Sequence, residues 1–232
     1  MGGDLHERIE AVRARMRAAA ERAGRDPESV RLVAISKAHP PEAVREAAEC
    51  GIRVFGESKV QEAKAKIPLC PGHLSWHMVG HLQRNKAGLA AELFDRVHSV
   101  DSLRLLETLD RAAAEAVKVL PVFIEVNVSG EGSKFGLPPE GVPELLRAAA
   151  GLSSLSVGGL MTMPPFAEDP EKARMYFRRL RGLRDQWRAE TGIPLEELSM
   201  GMSHDFEIAI EEGATWVRVG TALFGEREGT AA

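Results

Sequence analysis

Cysteine is scarce in this chain: among 232 residues only Cys50 and Cys70 carry a thiol. They stand in no CxxC or Cys/His spacing, which argues against a disulfide scaffold and a thiolate metal site, and suits a reducing compartment. Aromatic residues make up 5% of the chain, with a single tyrosine, Tyr176. No window approaches eighteen apolar residues, so no membrane-spanning helix is expected. The opening Met1-Gly-Gly-Asp-Leu-His-Glu7 is polar and lacks the apolar centre of a signal peptide. A basic block is also missing. Net charge is −4, and the arginines are scattered along helical patterns, so nucleic acid is not an expected partner. What is present is an ordinary globular balance, 44% hydrophobic and 28% charged, enough to bury a full core. The expectation is a soluble, cytoplasmic protein.

One rhythm organises the chain. Asp4 and Glu7 have the spacing of a capping box, and Leu5, Ile9, Val12, Met16 and Ala19 or Ala20 form an apolar stripe at helical steps. This predicts a leading helix within 4–24, ended by Gly24. From Arg31 onward, short apolar runs alternate with helical patterns. The expected strands are 31–36, 52–55, 74–79, 96–99, 120–128, 156–162, 196–199 and 215–219. Helices are expected near 41–50, 57–66, 83–93, 102–117, 138–150, 169–191 and 204–212. Strand then helix, repeated eight times with no stretch left for a second sheet, points to a single (β/α)8 TIM barrel with an extra N-terminal helix. A doubly wound open sheet fits repeated βα units too, but usually with fewer strands. No linker divides the chain, so 1–232 reads as one domain with a frayed tail over 226–232.

In such a barrel the chemistry gathers where strands end. Lys37 follows the unbroken apolar run Leu32–Ile35, and Pro40-Pro41 then opens a helix. An amine partly desolvated at the mouth can form a Schiff base with an aldehyde, although most lysines after strands are simply solvated. The rim then carries Gly56-Glu57-Ser58, Gly80-His-Leu-Gln83, Asp101-Ser102, Asn127–Ser129, Met161–Pro165, Met200–Ser203 and Gly220-Thr221. Loops after strands seven and eight are the usual phosphate site of this fold, which makes Ser203, Gly220 and Thr221 candidate phosphate ligands. Ser203 also reads as an ordinary N-cap of the helix it precedes. Arg218, between Val217 and Val219, points into the mouth if those valines face the helices; it then needs a ligand or an ion-pair partner. His73, His77 and His81 are spaced four apart but straddle a strand, so rim hydrogen bonding or loop packing is favoured over a metal. Glu125 is expected to turn inward with a structural hydrogen bond. Phe55, Trp76 and Trp216 read as core.

Several runs taken together carry a resemblance: Val33-Ala-Ile-Ser-Lys37, Phe55-Gly-Glu57, Val60-Gln-Glu62 and Trp76-His-Met-Val-Gly-His-Leu-Gln-Arg-Asn-Lys86. They are followed by Ser99-Val-Asp-Ser102, Gly159-Leu-Met161, Leu198-Ser-Met-Gly-Met-Ser203 with Asp205-Phe-Glu207, and Val217-Arg-Val-Gly-Thr-Ala-Leu-Phe-Gly225. In these runs the chain resembles the YggS/PROSC family of pyridoxal 5′-phosphate homeostasis proteins over nearly its whole length. The resemblance implies a barrel like the cofactor domain of alanine racemase, with Lys37 holding pyridoxal phosphate as a Schiff base. It implies phosphate contacts from Ser203, Gly220 and Thr221, and Arg218 facing the pyridine nitrogen. One departure stands out. The family usually reads Phe-Gly-Glu-Asn-Tyr after the second strand, whereas this chain has Ser58-Lys59 there. Ser58 can keep a shorter hydrogen bond toward the cofactor, but Lys59 supplies no aromatic face.

An arginine facing the pyridine nitrogen disfavours its protonation, so carbanion chemistry is expected to be weak. Racemases of this fold add a tyrosine acid/base and a second domain. Here Tyr176 lies within a long helical pattern, and the chain is expected to end before another domain. The expectation is therefore a carrier or buffer of pyridoxal phosphate, without efficient catalysis, that delivers the cofactor to apo-enzymes. The alternatives are a low-activity amino-acid racemase and a cofactor-independent Schiff-base aldolase on the same barrel. The resemblance implies a monomer or weak dimer.

Overall fold

The computed structural model describes residues 4–132 and 134–225, so the expected frayed tail at 226–232 lies outside the described residues. Eight parallel strands close into a barrel in chain order: β1 (Arg31–Ile35), β2 (Val54–Glu57), β3 (Ser75–Met78), β4 (Arg96–Val100), β5 (Leu120–Glu125), β6 (Leu155–Met161), β7 (Glu197–Ser199) and β8 (Trp216–Val219). Arg31 to Ala34 pair in parallel register with Trp216 to Val219 and shut the ring. Around it run α1 (Leu5–Arg22), α2 (Pro41–Glu49), α3 (Val60–Lys66), α4 (Ala87–Leu93) and α5 (Leu103–Glu115). The ring continues with α6 (Val142–Ala149), α7 (Arg174–Thr191), α8 (Phe206–Glu211) and a last turn, α9 (Thr221–Phe224). The fold expected from the alternating pattern is the one found.

Period-2 alternation sorts the strand residues into two layers. Val33, Val79, Phe123, Met161 and Trp216 fill the barrel interior. Ala34, Phe55, Trp76, Val217 and Val219 face the helices in the larger outer layer. Phe55, Trp76 and Trp216 are thus all core, as expected, and the outward valines send Arg218 inward.

The leading helix is fixed as its sequence suggests. Asp4 Oδ1 accepts from the Glu7 amide at 2.8 Å, and Leu5, Ile9, Val12, Met16, Ala19 and Ala20 are its buried face. It packs beside α8 and α9 on the flank of the barrel. Arg15 and Arg22 reach Glu207 and Glu211 from it, and Arg8 donates to the Leu223 carbonyl.

Behind α8, Glu212 is nearly buried and receives Arg178 at 2.8 Å, Arg174 at 3.1 Å and Arg181 at 3.2 Å. Burial alone would raise its pKa, but hydrogen bonds from Arg178 and Arg174 outweigh it and hold the carboxyl below its usual value. A depressed pKa gives stability that is full above the unfolded value and is lost as pH falls through the folded one. Glu212→Gln should therefore cost roughly 1–2 kcal/mol at pH 7, with the arginines left facing one another in partly screened positions. The difference should vanish in urea titrations near pH 3. An equal loss at both pH values would contradict this.

Several boundaries differ from the expected ones, and one matters for the site. Strand 52–55 is displaced to Val54–Glu57, so Gly56 and Glu57 lie in the sheet, not on the rim. A glycine and a glutamate look like a turn. Here the packing favours glycine, because a Cβ on residue 56 would lie 2.6 Å from Ile35 Cδ1 and 2.9 Å from Val33 Cγ1. The buried Glu57 carboxylate is matched by Lys66 Nζ at 2.6 Å. Strand 120–128 stops at Glu125, after which Val126 makes only an isolated bridge to Leu137.

Candidate functional site

A cavity of about 770 Å³ opens at the carboxyl end of the barrel. Lys37, Ser58, Ser203, Arg218, Gly220 and Thr221, read separately from the sequence, all line it. The closed strand order explains the meeting: loops 7, 8, 1 and 2 are consecutive around the rim.

Lys37 sits half-buried in the turn after β1, and that turn is anchored from behind. Ser36 Oγ donates to Glu57 Oε1 at 2.7 Å, and Lys66 Nζ donates to the Ser36 carbonyl at 2.7 Å. Lys66 also pairs with Glu62 at 2.9 Å, and Glu62 in turn accepts from the Ala38 amide at 2.6 Å. Ala38 has φ +62°, a left-handed conformation unusual for a residue with a Cβ. The residue after the candidate amine is thus held in a costly geometry by a buried ionic cluster. Burial pushes the Glu57 pKa up, against Lys66 and Ser36, which pull it down.

Ser203 corrects the sequence reading. It does not cap its own helix. Asp205 Oδ1 accepts from the Met202 amide at 2.7 Å and closes the turn, which leaves the Ser203 hydroxyl free to cross to the next loop. There Ser203 Oγ accepts from the amides of Gly220 at 3.2 Å and Ala222 at 3.3 Å. Two amides and a hydroxyl therefore converge at the start of α9, and none of these groups carries a formal charge.

Arg218 is buried and has neutral partners: it donates to Ser199 Oγ at 2.7 Å and to the Thr162 carbonyl at 3.0 Å. Burial lowers its pKa to about 10, with Glu125 and Asp205 acting the other way at longer range. Ser199 Oγ lies 2.8 Å from His98 Nδ1, and His98 Nε2 lies 3.0 Å from His77 Nδ1. A guanidinium only donates, so Ser199 Oγ accepts from Arg218, and one order that satisfies every group runs from Ser199 to His98 Nδ1 and from His98 Nε2 to His77 Nδ1. Both imidazoles must then be neutral. Burial first, then neighbouring positive groups, holds His77 near 3 and His98 well below its ordinary value. His98 escaped the sequence reading; its signal was an inward strand position beside that of His77.

The other histidines disperse. His81 sits on the rim, 3.2 Å from Asp101 and stacked on Phe135, whereas His73 is exposed ahead of β3. Among the described residues no group of three or more His, Cys, Asp or Glu could hold a metal ion. Tyr176 packs against the outer core and does not line the cavity. Glu125 does turn inward, but the expected structural hydrogen bond is absent: its Oε2 is buried without a partner. Arg218, the cation that acts on it, donates instead to Ser199 and Thr162.

The profile described as "Alanine racemase, N-terminal domain" matches residues 8–228. The chain belongs to the alanine racemase N-terminal domain family. Within it, the chain is 46% identical over 223 residues to the pyridoxal phosphate homeostasis protein of Aquifex aeolicus, covering 96% of this chain and 98% of that one. The protein of the same name from Pseudomonas aeruginosa is 46% identical over 225 residues, covering 97% and 96%. Among solved structures, PipY of Synechococcus elongatus without PLP superposes with a TM-score of 0.87 at 38% identity, covering 96% of this chain and all of that one. PipY with PLP bound gives 0.84 at 37% identity, with the same coverage. Alanine racemase from Corynebacterium glutamicum, 16% identical with a TM-score of 0.67, shares the fold; this chain covers 63% of its length. Among the described residues no helix is long and apolar enough to cross a membrane.

Proposed function

We propose that this member of the family binds pyridoxal 5′-phosphate, holds it covalently through Lys37 Nζ, and acts in its homeostasis as a carrier and buffer. The observation that carries this reading is one cavity joining an amine, an amide-and-hydroxyl cradle and a buried cation. The names of the full-length relatives, and the cofactor bound to PipY, support it.

The residues present fit the group. Amides of Gly220 and Ala222, which now converge on Ser203 Oγ, are the donors that phosphate oxygens require. A Cβ at Gly220 would lie 3.3 Å from both Ile35 Cβ and the Ile35 carbonyl oxygen, a tight contact that disfavours a side chain there. When bound, the cofactor supplies an electrophilic aldehyde. Lys37 Nζ is the amine held at the mouth to take it, Ser203 and Thr221 orient the phosphate, and Ser58 offers a short hydrogen bond beside the ring. Arg218 presents its charge to the cavity and keeps a proton off the ring nitrogen. Efficient carbanion chemistry is therefore disfavoured, and Tyr176 stands too far off to serve as the acid/base of a racemase. Cytoplasmic apo-enzymes are the recipients in this reading.

Purified protein mixed with pyridoxal phosphate should turn yellow and stay so after gel filtration; colourless protein would contradict the proposal and favour an aldolase that works without the cofactor. Steady racemisation of L-alanine by wild type, lost in Lys37→Ala, would favour the racemase. Arg218→Ala should move the visible band and weaken retention roughly tenfold, the loss expected for one charged hydrogen bond. An unchanged band and affinity would refute the nitrogen contact.

A further inference from the structure

The cavity is strongly one-sided in charge. Its lining includes Lys37, Lys59, Lys86 and Arg218 but no carboxylate. Lys59 and Lys86 come from different loops, and neither ammonium group makes a hydrogen bond or an ion pair among the described residues. Glu62 feels the charge of Lys59 at longer range, but it is already hydrogen-bonded to Lys66 and the Ala38 amide.

Their place on the rim is informative. In the closed strand order the loops run 7, 8, 1, 2, 3. Loops 7 and 8 carry the Ser203–Gly220 cradle, loop 1 carries Lys37, loop 2 carries Lys59, and loop 3 carries Lys86. The two unpaired ammonium groups therefore lie on the far side of Lys37 from the cradle. A phosphate held by neutral amides and hydroxyls leaves them without a counter-charge. His81, braced by Asp101 at 3.2 Å and stacked on Phe135 with ring centres 4.2 Å apart, walls the same lobe.

We propose that Lys59 and Lys86 form a carboxylate subsite for a small amino acid, whose amine releases the cofactor from Lys37. The proposal rests on the reading of Lys37 as the carrier amine. In the exchange, the neutral amine of the amino acid forms a bond to the carbon that Lys37 holds. The bond from that carbon to Lys37 Nζ breaks, and the proton shed by the incoming nitrogen passes to the departing one. No oxidant or reductant is consumed. The carboxylate, placed between two ammonium groups, raises the local concentration of the attacking amine. Release thus becomes a response to the amino-acid pool.

The test is the rate at which protein loaded with pyridoxal phosphate loses it to an ultrafiltrate, with L-alanine or with ethylamine at equal concentration of free base. L-Alanine should accelerate loss more than ethylamine. Lys59→Gln and Lys86→Gln should each cut the L-alanine acceleration roughly two- to fivefold, the worth of a partly solvated ion pair. Both variants should leave the ethylamine rate and the amine-free retention as in wild type. Equal acceleration by the two amines, or variants indistinguishable from wild type, would overturn the proposal. Loss of cofactor by the variants before any amine is added would overturn it too, by placing the phosphate on the lysines. Failure of wild type to retain the cofactor would overturn the carrier reading itself, a separate result.

Discussion

Lys37→Ala should yield a protein that folds normally, takes up no visible band after gel filtration, and forms no borohydride-stable adduct. The amide-and-hydroxyl cradle at Ser203, Gly220 and Ala222 remains in the variant, so weak, rapidly reversible phosphate binding should persist. What disappears is the covalent hold. Lys37→Arg separates charge from nucleophilicity: it keeps a cation at the mouth but presents a guanidinium, which does not deprotonate at working pH. It should behave like the alanine variant. Stability should change little, because the turn is fixed from behind by Glu57, Lys66 and Glu62. Melting temperatures within roughly 4 °C of wild type are expected, equivalent to about 1 kcal/mol for a chain of this size. A Lys37→Ala protein that still turned yellow would move the chemistry elsewhere.

The second large effect concerns Glu125. Burial, then the negative charge of Asp101, raises its pKa to about 7, only partly opposed by Arg218. Its Oε2 is buried with no partner. A carboxyl whose folded pKa lies above its unfolded one is favourable to the fold while protonated. That advantage is lost as pH rises from the unfolded value through the folded one, because ionisation must then occur in a buried site. Wild type should thus lose stability between about pH 4.5 and pH 8 from this group. Glu125→Gln removes the titration at nearly constant shape. It should be more stable than wild type by roughly 3 kcal/mol at pH 8, from a shift of that size at 1.36 kcal/mol per unit. The two proteins should converge near pH 4.5. Equal stability at pH 8 would mean that Glu125 finds a partner in solution.

Much of this was legible in the sequence, for identifiable reasons. The strands are short apolar runs bounded by glycine or polar residues, and the helical stripes between them keep their 3.6-residue period, so the barrel followed from periodicity. Arg218 was placed inward by the two valines beside it. Lys37 stood out because it closely follows an apolar strand. The failures are long-range. Nothing local shows that Gly56-Glu57 continues a strand, since what makes a buried glutamate tolerable there is Lys66 on the following helix. Ser203 looks like an N-cap until Asp205 takes over the turn and Ser203 Oγ meets amides seventeen and nineteen residues away. The Arg218–Ser199–His98–His77 chain joins four strands, and its spacing in the sequence carries no pattern. Glu125 failed in the opposite sense. A buried carboxylate normally implies a partner, and here the expected partner is engaged elsewhere.

The most direct measurement is peptide mapping after borohydride reduction of the yellow protein. Trypsin cuts after Arg31 and Arg45, and cutting after Lys37 is blocked once its Nζ is substituted. The account therefore expects the reduced cofactor's mass on the uncut peptide Leu32–Arg45, with none on peptides containing Lys59, Lys86 or Lys134. The same mass on one of those peptides, with Lys37 cleaved normally, would contradict the central claim.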